Sequence, residues 1–397
     1  MGYSLVCKDC GLRFKDEGFD FSCPNGCSGV ISTRYDTPLQ PEGSGIWRYI
    51  NWLPVKRPNS YDLTPVLLRS DPISSEVGAE VYLAFHGYFP EMGAKLLTCT
   101  FKEVEAVASL RYAGEHKRDI AVASAGNAAN AFLRFSELED IRSYIFIPER
   151  VFGNLFCERK SENSKLIIVK GSYDAAQDLA RKFSRLKGIA YEGGGLNIAR
   201  RDALATLAYH FHERYGFLPD EYYQSVGSGT GAIAFYEGSK RLIRAGAAKQ
   251  SPKIVVAQNE PFAPIVDAWN AKSREIAKDY GFDPLEVVYA KVLTNKSPIY
   301  SARGGLYDIM SESKGHGVSV SEKEAKSAGN LFIKAHRIGL DPAAEVGLAA
   351  LLKSRANGRV LLNITGAGYQ RLKKDVKIER PDPDWIVEGA DDLEMIR

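Results

Sequence analysis

Several short segments hold residues whose types and spacing equip them for chemistry. Cys7, Cys10, Cys23 and Cys27 form a C-x2-C-x12-C-x3-C pattern. Two close thiol pairs joined by a short loop suit one tetrahedral zinc better than two disulfides, because each pair supplies two ligands from one tight turn; the alternative is a ribbon whose thiols stay reduced and empty. Four thiolates leave no open coordination position, so zinc here is expected to be structural. Gly227-Ser228-Gly229-Thr230-Gly231 offers converging N–H groups and two hydroxyls at a helix start, a phosphate cradle unless it is only a tight turn. With Ala232 it also meets the G-x-G-x-x-A dinucleotide pattern, but no Asp or Glu lies between Glu237 and Glu260 to hold a ribose. Ser124-Ala125-Gly126-Asn127 makes a second such helix start. Lys102 sits where Thr100 and Glu103 have capping-box spacing. A cation is unfavourable at that end of a helix, so Lys102 is either a solvated surface charge or an amine of depressed proton affinity, suited to imine formation. Thr365, ahead of Gly366, reads on its own as no more than a helix cap.

The elements that must position these residues follow from periodicity. Short apolar runs at 120–124, 144–147, 166–169, 222–226, 254–257 and 360–364 alternate with helical repeats at 127–138, 173–186, 202–215, 232–245, 323–338 and 343–354. That alternation predicts buried parallel strands with crossover helices, an open α/β fold whose ligands sit at strand exits. Three of the segments above fall at such exits. A Pro- and Gly-punctuated stretch from Pro38 to Pro58 reads as a linker into the main body. Residues 297–321 read as irregular, with Lys314-Gly315-His316-Gly317 as either a mobile lid or an ordinary surface loop. His210 and His212, two apart on a helix, point to different faces, and Cys99 and Cys157 are expected to be packing residues.

Composition narrows the class. Lys plus Arg is 52 and Asp plus Glu 49 in 397 residues, a formal net charge of +3 spread along the chain, so neither nucleic acid nor an acidic membrane is the expected partner. No apolar run approaches the roughly 18 residues of a spanning helix. Lys8, Asp9, Arg13, Lys15, Asp16 and Glu17 interrupt the first thirty residues, so no secretory signal is expected there, and a cytoplasmic, reducing location is.

In order, Leu63-Thr64-Pro65, Phe101-Lys102, Ser124-Ala125-Gly126-Asn127, the 227–231 loop, Asp341-Pro342-Ala343-Ala344 and Thr365-Gly366 resemble the motifs of the fold-type II pyridoxal-phosphate enzymes, most closely the threonine synthase group. The cysteine segment ending in Tyr35-Asp36 is similar to one found in many threonine synthases. The resemblance implies a tryptophan synthase β-like architecture of two open, mostly parallel sheet domains. A zinc-ribbon-like segment would span 1–36, a large α/β domain 37–100 and 200–397, and a small one 101–199. It also implies pyridoxal phosphate held covalently by Lys102, which would serve as base at the substrate's α carbon. Ser124, Ala125, Gly126 and Asn127 would hold the substrate carboxylate, with Asn127 also reaching the cofactor ring hydroxyl. Gly227, Ser228, Gly229, Thr230 and Gly231 would bind the cofactor phosphate, and Thr365 would face the pyridine nitrogen. A neutral hydroxyl there does not force the pyridine to be protonated, which favours loss of a leaving group over transamination. A homo-oligomer is also implied.

Departures from that group matter. The group reads S-F-K-D-R-G around its lysine, whereas Thr100-Phe101-Lys102-Glu103-Val104-Glu105 has neither that Arg nor that Gly. Residues 194–203, GGLNIARRDA, lack the usual Gln and Lys, and Phe85-His86-Gly87-Tyr88-Phe89-Pro90-Glu91 is unlike the usual N-P-T segment. With Gly45-Ile46-Trp47-Arg48-Tyr49 ahead of Trp52-Leu53-Pro54, the chain looks closer to a threonine synthase paralogue in which sulfite replaces the phosphate of O-phosphoserine. The alternatives are a threonine synthase acting on O-phosphohomoserine and a silent paralogue that only binds the cofactor. Arg200, Arg201, Lys291 and Arg303 are basic residues that an enzyme handling two anions could use.

Overall fold

In the computed structural model, which describes residues 2–61, 63–277 and 279–396, the apolar runs assemble into two sheets. The larger is ordered His316–Val320, Lys253–Asn259, Glu221–Ser225, Arg359–Ile364, Glu80–Phe85 and Val66–Arg69; every neighbouring pair is parallel except the last. The smaller is parallel throughout, ordered Ala190–Tyr191, Ile120–Ala123, Ser143–Pro148, Ser164–Val169 and Trp385–Val387. Helices cover both faces, so central strands bury side chains on either side, as Val255, Val256, Leu361 and Leu362 do. This is why the six runs are readable: each coincides with an observed strand, its ends shifted by no more than two residues.

Three differences from the sequence reading have physical causes. His316–Val320 is an edge strand, HGVSV, whose first four residues are half-buried and only Val320 fully buried, without an apolar run to mark it. With the helix Leu306–Glu312 it gives regular structure to much of the 297–321 stretch, so Lys314-Gly315-His316-Gly317 is a turn into a strand and no lid. A Cβ at Gly315 would lie 2.0 Å from the Ile254 carbonyl oxygen, so that turn admits only glycine. Trp385–Val387 pairs with the small sheet, so the chain's last segment leaves the 200–397 unit to which the sequence reading assigned it. Finally, Thr100 and Glu103 form no capping box. The helix Lys102–Glu115 has Phe101 at its N-cap, and the Glu103 carboxylate accepts instead from the Thr98 N–H.

Tyr3–Cys7, Arg13–Phe14 and Ile31–Tyr35 form a small antiparallel sheet carrying the cysteines. It is not a loosely tethered module, because Leu5 and Ile31 share one apolar cluster with Trp52, Tyr209 and Phe235 of the main body. Buried Asp202 fixes the joint, accepting from Thr33 Oγ1, Tyr35 Oη and Arg241 Nη2 at 2.6 Å each. Among the described residues no helix is long and apolar enough to cross a membrane.

Candidate active site

Strand exits from both sheets meet at one cavity of about 450 Å³. Lys102, Ser124, Ala125, Gly126, Asn127, Gly227, Ser228, Gly229, Thr230, Gly231 and Thr365 all line it, drawn together from segments far apart in sequence. Asn197 shows how the helices that carry the wall are started: its side-chain oxygen accepts from Ala199 N at 2.9 Å and Arg200 N at 3.3 Å, capping the helix Ile198–Tyr215. Arg200 is thereby fixed in the first turn, on the cavity wall.

The 227–231 loop is shaped for backbone access. Gly229 has φ +84°, and a Cβ on it would stand 2.3 Å from Leu306 Cδ1; a Cβ on Gly231 would stand 2.5 Å from Gln224 Nε2. The helix Thr230–Arg244 starts here, its first N–H groups without partners inside the helix and its dipole favouring an anion. Ser228 and Thr230 hydroxyls lie 2.8 Å apart at the same place. In the 124–127 loop Ser124 Oγ accepts from Gly126 N at 3.1 Å and Ala129 N at 2.9 Å, which leaves its own O–H free to donate. Thr365 Oγ1 is buried without a hydrogen-bond partner, on a residue that lines the cavity. It caps no helix, since the next one, Tyr369–Asp375, begins after Gly368.

Lys102 is no solvated charge. Its Nζ lies 2.7 Å from Glu105 Oε1 and 4.5 Å from the centre of the Phe101 ring. The other Glu105 oxygen receives Arg200 Nη1 at 2.8 Å, and Arg200 Nη2 reaches Glu192 Oε2 at 2.7 Å. Glu192 also accepts from Gly194 N, Ser109 Oγ and Asn197 Nδ2. Burial pushes the proton affinity of Lys102 down, Arg200 adds to that, and Glu105 opposes it. Of this chain of charges the sequence marks only Lys102 and, without a role, Arg200. Glu105 and Glu192 go unmarked as site residues, and the available signal for Glu105 is its place where the threonine synthase pattern has Gly. Arg201 points elsewhere, donating to Glu237 and to the carbonyls of Gly195, Leu196 and Ile31.

A family model described as "Pyridoxal-phosphate dependent enzyme" matches residues 61–366. The chain belongs to that family. The cavity fits the cofactor of pyridoxal-phosphate dependent enzymes on its own terms: its wall carries an orphaned buried hydroxyl at Thr365, a glycine loop in which a Cβ at Gly229 or Gly231 would clash with Leu306 or Gln224, and a lysine of lowered proton affinity. Among relatives of this chain are the cysteate synthase of Methanospirillum hungatei JF-1, 37% identical over 100% of this chain and 97% of that protein, and the cysteate synthase of Methanosphaerula palustris, 39% identical over 94% and 91%. Maize serine racemase superposes with a TM-score of 0.60 at 14% identity, covering 79% of this chain and 93% of that one. The processed form of threonine deaminase isoform 2 from Solanum lycopersicum does so at 0.57 and 16%, covering 85% and 90%. These structures share the fold-type II architecture read from the sequence.

The four ribbon cysteines place their sulfurs within 4.8 Å of one another, a span suited to one tetrahedral zinc with Zn–S bonds of about 2.3 Å. None of them lines the cavity. Stripping the metal with a chelator is expected to lower the unfolding midpoint while the protein keeps its cofactor absorption band. Metal analysis that finds no zinc in protein produced with zinc supplied would rule this out.

Proposed function

We propose that this chain replaces the phosphate of O-phospho-L-serine by sulfite, giving L-cysteate and phosphate. The observation that carries this is the set of relatives named cysteate synthase, among them one matching 100% of this chain at 37% identity. Bound pyridoxal phosphate supplies the electron sink that makes the substrate's α proton acidic and the β substituent able to leave. The chain's own residues do the rest. Lys102 Nζ would hold the cofactor covalently and would serve as the base for the substrate's α proton, a role its lowered proton affinity suits. The Ser124 hydroxyl and the backbone of Ala125, Gly126 and Asn127 hold the substrate carboxylate. The N–H groups of 227–231, with Ser228 and Thr230, would hold the cofactor phosphate, and Thr365 Oγ1 would be the group to meet the pyridine nitrogen. As domains, 1–36 is the metal ribbon, 101–199 the unit bearing the lysine and carboxylate loop, and the remainder the phosphate-binding unit, less the final strand. Sulfite and O-phosphoserine are thus the small-molecule partners.

The test is a pair of reactions followed for phosphate and amino-acid product. Cysteate is expected from O-phosphoserine with sulfite, and nothing from O-phosphohomoserine with water. Threonine in the second reaction with no cysteate in the first would restore threonine synthase, and silence in both would make this a cofactor-binding protein without turnover.

A further inference from the structure

Two departures from the threonine synthase pattern touch each other beside Lys102. Glu105 stands at the position of that pattern's Gly, and Arg200 lies in the segment that lacks its Gln and Lys. In the folded chain they form an ion pair at 2.8 Å, with Glu105 fully buried and Arg200 8% exposed at its side chain. Two changes that bear on one contact are one change. Without Glu105, the Arg200 guanidinium would face the Lys102 ammonium with no carboxylate between them.

We propose that Glu105 and Arg200 act together as a positioning device for Lys102, Glu105 holding its amine in place and Arg200 balancing the charge that Glu105 brings. This rests on the reading of Lys102 as the residue that binds the cofactor and takes the α proton. Both Glu105 oxygens are engaged, one by Lys102 and one by Arg200, so the carboxylate is held without slack. Glu192 holds Arg200 through two contacts, Nε at 3.0 Å and Nη2 at 2.7 Å, and is itself held by three donors. A buried ion-pair chain of this kind is a poor way to add stability, since apolar side chains of similar volume would do as well or better. Its placement, ending on the reactive amine, gives it a use.

The sign of its effect is fixed by the surrounding charges. Facing Lys102 are Glu105 from its own helix, Arg200 from the helix Ile198–Tyr215 and Glu192 from the loop before that helix. Tyr173, from the helix Tyr173–Lys187, lies beside Arg200 and Glu192 with its hydroxyl pushed up by burial. Asp341 also lines the cavity, and burial pushes its carboxyl up. Removing the Glu105 charge therefore lets the Lys102 nitrogen lose its proton at lower pH, and removing the Arg200 charge has the opposite effect.

The experiment is a pH titration of the cofactor's visible band in the holoenzyme and in E105Q, R200Q and the double variant, with unfolding midpoints measured in parallel. E105Q is expected to move the titration midpoint down by about one pH unit or more, R200Q to move it up, and the double variant to return close to the parent. E105D keeps the charge and is expected to titrate near the parent, which covers the case in which R200Q does not fold. An E105Q midpoint within about 0.3 unit of the parent at an unchanged unfolding midpoint overturns the proposal. A cofactor band that survives Lys102→Ala would instead overturn the reading of Lys102 beneath it.

Discussion

Lys102→Ala is expected to give a folded protein that binds pyridoxal phosphate without a covalent link, and turnover is expected to fall roughly a thousandfold or more, within the range of a lost general base. The fold should survive because the Lys102 side chain is partly exposed and because Glu105, its ionic partner, keeps Arg200. The buried carboxylate is not left bare. The measurement is borohydride reduction followed by mass analysis: the parent retains the cofactor on the peptide carrying Lys102, and the variant retains none. Cofactor still fixed to the variant, or turnover near the parent's, would place the chemistry on another residue.

The second large effect is expected far from the cavity. Asp202→Ala should destabilise the protein by about 3–5 kcal/mol, because it removes one partner of a buried ion pair and leaves the Arg241 charge with only the Tyr209 and Thr33 hydroxyls. The loss also takes the acceptor from Thr33 Oγ1 and Tyr35 Oη, each at 2.6 Å from the carboxylate, although Thr33 Oγ1 still accepts from Arg241 Nη2, so two of the ribbon's polar attachments to the helix Ile198–Tyr215 are lost. Denaturant unfolding measures the difference. A change under about 1 kcal/mol would mean that water or a neighbour replaces the carboxylate and that apolar contact alone seats the ribbon.

Much of this site was legible because its parts are local. A glycine run after an apolar run, or Ser-Ala-Gly-Asn at a helix start, carries its meaning within five residues, and parallel strands buried on both faces announce themselves as apolar runs. The cysteine pattern is equally local. What stayed hidden depends on contacts between distant residues. Glu105 looks like a helix charge until the fold sets it against Arg200 and Lys102, and nothing near Glu192 in sequence marks it as the far anchor of that chain. Thr365 looks like a cap from its neighbours alone and takes a role only from the family resemblance; the fold adds a buried oxygen that finds no partner. The edge strand His316–Val320 and the three-residue strand Trp385–Val387 lack the apolar length that made their neighbours readable.

The charge chain at Lys102 bears on how the site meets its surroundings. Two cations, Lys102 and Arg200, are cancelled by two carboxylates, Glu105 and Glu192, and a further cation of the wall, Arg181, lies over the Tyr191 ring, 5.2 Å from its centre. The charges named here therefore nearly balance, with Arg181 alone in surplus, and offer little long-range attraction to the two anions the cavity is proposed to take. Their reception falls to N–H dipoles at helix starts, which act over a few ångströms. Dissolved salt screens charges beyond about 8 Å at physiological ionic strength but hardly touches contacts so short. Capture of substrate should accordingly depend only weakly on salt concentration, and its rate should be set by random encounter more than by long-range attraction.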